Sequence, residues 1–324
     1  MHLLKSLVVF FLFGFLFSCG IFDSTNSENL VAFQATNNLG RQIYTVNFGS
    51  PKISLHQITN NDHQNIEPLF SYGKKYLLYS ELQNAISNNN AQWIYDFDRK
   101  TSNLLEVIDF QYPIVYAKKK IWHPSNDKIY LGLIPGPWSA YDIYEYTFNT
   151  KIMKSLTHDW QEVYKPLGFL HPDTMIIYFG DNNENPGRYK MDLYGNIYDK
   201  INNPYFERKI VGGVVKSGPR TYHYSMVLET FLIAMITEEA EGCKIIATNL
   251  DGSYYEEFTN GDYDDDYPVF GPDNDYIIFE RKPVNDHRRE NSSIVYMPVA
   301  GGPVKVLVDE NTFSNLSGFS HPVF

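Results

Sequence analysis

The sequence predicts an all-β protein, a six-bladed β-propeller with four-stranded blades, and three observations predict it. Short apolar runs of strand length recur along the chain, while no helical periodicity of useful length appears beyond the first 17 residues. A strand–turn–strand motif returns about every 50 residues, the range of propeller blades. Residues 30–324 supply 295 positions, close to what six such units need. The aromatic content of 16%, with 25 Tyr, suits strands better than helices.

The N-terminus reads as an address. His2 and Lys5 precede an apolar run from Leu7 to Phe17, which is shorter than the roughly 20 residues a spanning helix needs. The run ends in Leu16-Phe17-Ser18-Cys19-Gly20. This resembles the bacterial lipoprotein signal, in which cleavage falls before a cysteine that carries lipid on its sulfur. The resemblance implies a signal peptide at 1–18, a lipidated tether at 19–29 starting at Cys19, and a propeller at 30–324. It also implies a membrane partner reached through the lipid and a place in the cell envelope. Gly20 stands where inner-membrane retention would use Asp, so the outer membrane is expected rather than the inner. With Cys19 lipidated, Cys243 has no intramolecular partner and reads as a small buried residue of a strand.

The body is a repeat. Glu67-Pro68-Leu69-Phe70 leads through a turn to Tyr76-Leu77-Leu78-Tyr79, and Tyr267-Pro268-Val269-Phe270 leads likewise to Tyr276-Ile277-Ile278-Phe279. Related copies start at Ile121-Trp122-His123-Pro124 and Gly168-Phe169-Leu170-His171-Pro172, and a truncated one lies at Gly318-Phe319-Ser320-His321-Pro322. The anchor aromatics are Phe70, Trp122, Phe169, Phe270 and Phe319, at spacings of 52, 47, 101 and 49. The long gap holds one degenerate copy near Lys216 to Val227. A second motif follows each copy at 43–49, 93–98, 143–148 and 245–253, running apolar into turn residues, and short outer strands end at Thr59, Thr157 and Thr259. The last copy stops after its first strand. Leu30–Gln34 supplies the next one, so the N-terminal strand joins the C-terminal blade and closes the ring.

The stretch at 268–279, with Asn249-Leu250-Asp251-Gly252-Ser253 and Phe258-Thr259 before it, resembles the repeat of TolB-type six-bladed propellers. The resemblance covers the mature chain, and is poorest at 188–235. It implies the fold. TolB's additional α/β domain has no counterpart in this length, and propellers of this shape serve as binding platforms and as enzymes alike.

Charge narrows the partners. Lys plus Arg number 27 against 38 Asp plus Glu, a net of −11, which excludes the broad basic surface a nucleic-acid partner requires. No catalytic constellation stands out. Gly318-Phe319-Ser320 lacks the second Gly of a nucleophile elbow, so Ser320 reads as structural. His123, His171 and His321 fall at one repeat position, each before Pro; turn roles are the first reading and a metal cluster the second. The acidic run Asp262–Asp266, with Asp264, Asp265 and Asp266, reads first as a solvated loop and second as a Ca²⁺ site.

Loop asymmetry points to one face. The links between second and third strands are long and dissimilar, and recognition on a rigid scaffold sits on such loops. They carry Trp138, Tyr141, Asp181, Asn182, His287, Arg288 and Arg289, beside the acidic run. The functional expectation is a lipid-anchored module that binds an envelope protein or a glycan without catalysis and without a cofactor. The alternative is a metal-dependent carbohydrate lyase or hydrolase working at the channel mouth.

Overall fold

A computed structural model describes residues 29–50, 52–82, 90–105, 117–133, 141–157, 163–180, 187–211, 214–284, 286 and 291–324. Cys19 and the segment before the propeller lie outside them. The chain enters with β1 (Leu30–Asn37), β2 (Gly40–Asn47) and β3 (Leu55–Gln57). Blade 1 follows as β4 (Gln64–Phe70), β5 (Tyr76–Leu82), β6 (Asn90–Asp96) and β7 (Thr101–Leu104). Blade 2 is β8 (Ala117–Trp122), β9 (Lys128–Leu133), β10 (Asp142–Thr147) and β11 (Ile152–Ser155). Blade 3 is β12 (Val163–His171), β13 (Thr174–Gly180), β14 (Gly187–Asp192) and β15 (Ile197–Ile201). Blade 4 has five strands, β16 (Lys209–Val211), β17 (Val214–Ser225), β18 (Thr230–Ile236), β19 (Cys243–Asn249) and β20 (Tyr255–Glu257). Blade 5 is β21 (Tyr263–Phe270), β22 (Tyr276–Pro283), β23 (Ser293–Pro298) and β24 (Lys305–Val308). The final strand, β25 (Ser317–Val323), pairs with β1 and makes blade 6 with β2 and β3.

The ring is closed. First strands meet in a cycle, β4 with β8, then β12, β17, β21, β25 and back to β4. Antiparallel pairing of β1 with β25 sets Ala32 opposite Val323 and Gln34 opposite Ser320. Gln34 donates from Nε2 to Ser320 Oγ at 2.9 Å and accepts the Glu67 amide at 3.1 Å, so one buried side chain ties both ends of the chain to blade 1. Lys74 Nζ donates to Leu30 O at 3.1 Å and lies 2.8 Å from the Phe324 ring centroid, a second tie across the seam.

Burial follows radius. The second strands, such as β5, β9 and β22, are buried along almost their whole length because each blade is covered on both faces by its neighbours. Outer strands such as β7 and β20 are exposed throughout. The apolar contacts run between blades. Leu78 and Ile94 of blade 1 pack against Trp122, Ile129 and Leu131 of blade 2, and Trp122 Nε1 donates back to Leu69 O at 3.2 Å. The threonines that end the outer strands repeat one device. Thr59, Thr157 and Thr259 accept the amides of Ile43, Ile143 and Ile245 at 2.9, 2.9 and 2.8 Å, which satisfies a donor at a fully buried third-strand residue.

Two details depart from the sequence expectation. The degenerate copy near Lys216 is β17, with Tyr224 as its aromatic, but it carries the extra strand β16. In blade 6 the counterpart of Phe70 is Phe324, not Phe319. Val323 faces Ala32 as Leu69 faces Leu78, and His321 has φ 53°, matching Glu67 at 54° and Tyr267 at 50°. All three precede Pro at the same inner-strand bulge.

Candidate functional site

Antiparallel blades put the start of every first strand, the end of every second and the start of every third on one face of the ring. On that face, between blades 3 and 4, opens a cavity of about 900 Å³. Strand ends build it: Lys119 of β8, Lys165 of β12, Tyr178 of β13, Arg188 of β14 and Lys200 of β15. The link into blade 4 adds Phe206 and Arg208, and β17 adds Arg220 and Tyr222. Six cations therefore line a cavity in a chain of net charge −11, with Glu207 the single carboxylate among the described lining residues.

Local geometry holds these groups in place. The Arg188 guanidinium sits 4.6 Å from the Phe206 ring centroid, 5.6 Å from Tyr222 and 5.8 Å from Tyr178, and its Nη1 donates to Phe206 O at 2.7 Å. Its Nε is buried with no hydrogen-bond partner in this structure. Desolvation lowers the Arg188 pKa against the pull of Tyr222 and Tyr178, and the neighbouring Arg208 charge adds a smaller lowering. Lys119 reaches water, yet protein surrounds it closely enough for desolvation to lower its pKa, against the pull of Glu67 and Asp266. Next to it, Lys120 points into protein and donates to Ser80 Oγ at 2.7 Å and Glu67 O at 3.1 Å; burial brings its pKa down to about 8. The close approach of the blade 4 link to β17 requires Gly218 at φ 129°. A Cβ there would stand 2.8 Å from Arg208 Cγ and 2.9 Å from Glu207 O.

The acidic run is not a solvated loop. It is the start of β21, where Asp265 and Asp266 are fully buried. Asp265 takes a bidentate pair from Arg281, Nε at 2.7 Å and Nη2 at 2.8 Å, although burial still raises its pKa. Burial works the same way on Asp264, but Lys282 at 3.0 Å and Arg220 at 2.6 Å outweigh it and hold its pKa at about 2. Asp266 meets Arg220 Nε at 3.2 Å and accepts from Thr221 Oγ1 at 2.5 Å. Cys243 is buried as expected, 3.4 Å from Arg220 Nη1, and burial pushes its thiol up to about 12.

Of the loop residues singled out in the sequence, Tyr141 is described. Lys165 Nζ lies 5.5 Å from its ring centroid and 5.3 Å from that of Tyr178, which places Tyr141 at the cavity edge. Trp138, Asp181, Asn182, His287, Arg288 and Arg289 lie outside the described residues. The three His-Pro positions are not equivalent. His123 and His171 lie at inner hairpin turns, on the opposite face, whereas His321 lies within β25. His123 bonds Ser125 Oγ at 2.5 Å and Pro172 O at 2.9 Å, the turn role expected for it. Among the described residues no group of three His, Cys, Asp or Glu side chains could hold a metal ion. Ser320 is the buried partner of Gln34, a structural serine.

The cationic lining was not read from the sequence. Its residues come from five strands and a link, up to 101 positions apart. The available signal was the break in the repeat at 188–235, where the cavity has most of its wall.

No protein-family model matches the chain, and no curated relative matches it. Solved structures do. TolB from Acinetobacter baumannii superposes with a TM-score of 0.65 at 10% identity, covering 92% of this chain and 66% of that one. A putative TolB from Agrobacterium tumefaciens gives 0.58 at 14% identity, covering 86% of this chain and 88% of that one. The hydrazine synthase of Kuenenia stuttgartiensis gives 0.58 at 13% identity, with 92% and 47% covered. The chain thus spans just under two thirds of the first TolB. Its fold is a TolB-like six-bladed propeller, and likeness at this identity is likeness of fold.

Proposed function

We propose that this chain is a lipid-anchored module of the cell envelope that binds a protein or glycan partner on its long-loop face, without catalysis and without a cofactor. The observation that carries the reading is the cavity, which opens on that face and breaks an otherwise regular scaffold. A rigid closed ring is suited to present such a site, because each blade is held from both sides. The partner surface would include Tyr141 at the cavity edge and the loop residues Trp138, Asp181, Asn182, His287, Arg288 and Arg289. Support for the anchor is the signal pattern ending at Cys19, with the outer membrane favoured by Gly20.

Cross-linking of intact cells that express the full chain, followed by detergent extraction, tests the reading. The expected result is a reproducible envelope component that co-purifies. A chain recovered alone under every cross-linker would overturn it. The anchor has its own test: Cys19→Ala should abolish palmitate labelling and release the protein from membranes. Labelling unchanged by the substitution would refute the lipid.

A further inference from the structure

We infer that the cavity between blades 3 and 4 is a binding site for an acidic saccharide, sugar rings that carry carboxylate or phosphate groups. The inference rests on the binding-module reading above and names its ligand. Six cations converge from six segments, and Arg188 and Arg208 already repel each other across the wall. Like charges held this close in a partly desolvated site are relieved by a bound anion. Arg188 is fixed in orientation by its bonds to Phe206 O and Tyr222, so its charge is held at the wall of the cavity. Guanidinium donors suit carboxylate and phosphate oxygens.

The remaining wall argues for sugar rings rather than an acidic peptide. Tyr178 and Tyr222 bring aromatic rings to the wall, which match the C–H faces of a saccharide. One way for an extended peptide to bind is by adding to an open strand edge. Here the start of β17 is already covered by β16, through Lys209 with Ser217 and Val211 with Val214. The cavity volume of about 900 Å³ lies within the roughly 300–1,000 Å³ of small-ligand sites. Arg220 marks the limit of the site, because Asp264 and Asp266 already hold it.

Calorimetric titration of the full chain in detergent tests the inference with four probes. These are a tetrasaccharide alternating glucuronate and N-acetylglucosamine, glucose 1,6-bisphosphate, neutral maltotetraose and a hexaglutamate peptide. One or both acidic sugars should bind, more weakly as salt is added, and the tighter of the two identifies carboxylate or phosphate as the recognised group. Lys119→Gln and Arg208→Gln should each weaken binding about tenfold, the scale of one lost charge-assisted hydrogen bond. Lys305→Gln, on the far outer strand β24, should leave it unchanged. Four outcomes would overturn the inference: no binding of either acidic sugar at millimolar concentration, equal binding of maltotetraose, tighter binding of hexaglutamate, or indifference to both cavity substitutions. The unsubstituted chain is also carried through the intact-cell cross-linking. A partner still captured while no acidic sugar binds removes the saccharide and leaves the module. Sugar binding with no partner captured does the reverse.

Discussion

Blades 4 and 5 are neighbours with opposite uses of charge. Blade 5 is regular, four strands with a tight turn between β21 and β22, and its first two strands pair most of their charges with each other. The hairpin register sets Asp264 opposite Lys282 and Asp265 opposite Arg281, so two carboxylates of the densest acidic run are neutralised by their own second strand, and Asp266 pairs with Arg220 of blade 4. Blade 4 is irregular. It adds β16, and its first strand and entry link turn Arg208 and Arg220 toward a cavity shared with blades 2 and 3. Arg220 joins the two regions, facing the cavity while paired to blade 5. The contrast teaches that regular repeat is scaffold in this molecule, and that the interruption of the repeat is where surface chemistry collects.

Breaking the scaffold side should produce the largest effect. Asp265→Ala leaves the Arg281 guanidinium, held beside Tyr263 and Phe279, without its bidentate partner. A loss of about 3 kcal/mol is expected in urea unfolding, the scale for removing one member of a buried pair. On the irregular side, Gly218→Val places a Cβ against Arg208 and Glu207 at a positive φ that branched residues resist. It should cost about 2 kcal/mol and also lower ligand affinity, since it displaces the cavity wall. A stable variant with intact binding would show that the wall is not set by this approach. A smaller effect tests the repeat itself. Thr59→Val should cost about 1 kcal/mol, and Thr157→Val and Thr259→Val more, because those two hydroxyls also bond the buried carboxylates of Asp142 and Asp265.

Acid separates the two blades by pH. In blade 4, burial lowers the His223 pKa from 6.5 to about 4. The unfolded chain then takes the proton first, and stability should fall as pH drops from about 6.5 toward 4. In blade 5, Asp264 is held at about 2, below its usual 3.8. Its contribution is present above about 4 and is lost as pH falls toward 2. Urea midpoints measured across pH should show His223→Gln flattening the upper window and Asp264→Asn the lower. Interchanged windows would contradict the assignments.

Much of the fold was legible because the propeller repeats its packing. Phe70, Trp122, Phe169 and Phe270 fill equivalent sites, so aromatic spacing reports blade spacing. The sixth anchor was misassigned to Phe319 because a His-Pro pair occurs there too. In β25 that pair marks an inner-strand bulge, and in blades 2 and 3 it marks a turn, a distinction that spacing alone does not carry. The acidic run was misread for a different reason. A cluster of Asp reads as solvated until its partners are known, and these lie 16 to 18 positions downstream across a hairpin whose register was recoverable. The cationic cavity had no such local trace, since Lys119 and Arg220 approach one site only because blades 2 and 4 both pack on blade 3.

The central claim is that recognition belongs to the long-loop face beside blade 4. Photo-cross-linking side chains placed at Ile210 on β16 and at Tyr194 on the β14–β15 turn test it most directly, because both are exposed and they lie on opposite faces of the ring. The expected result is a partner adduct from position 210 and none from 194. An adduct from position 194 alone would contradict it.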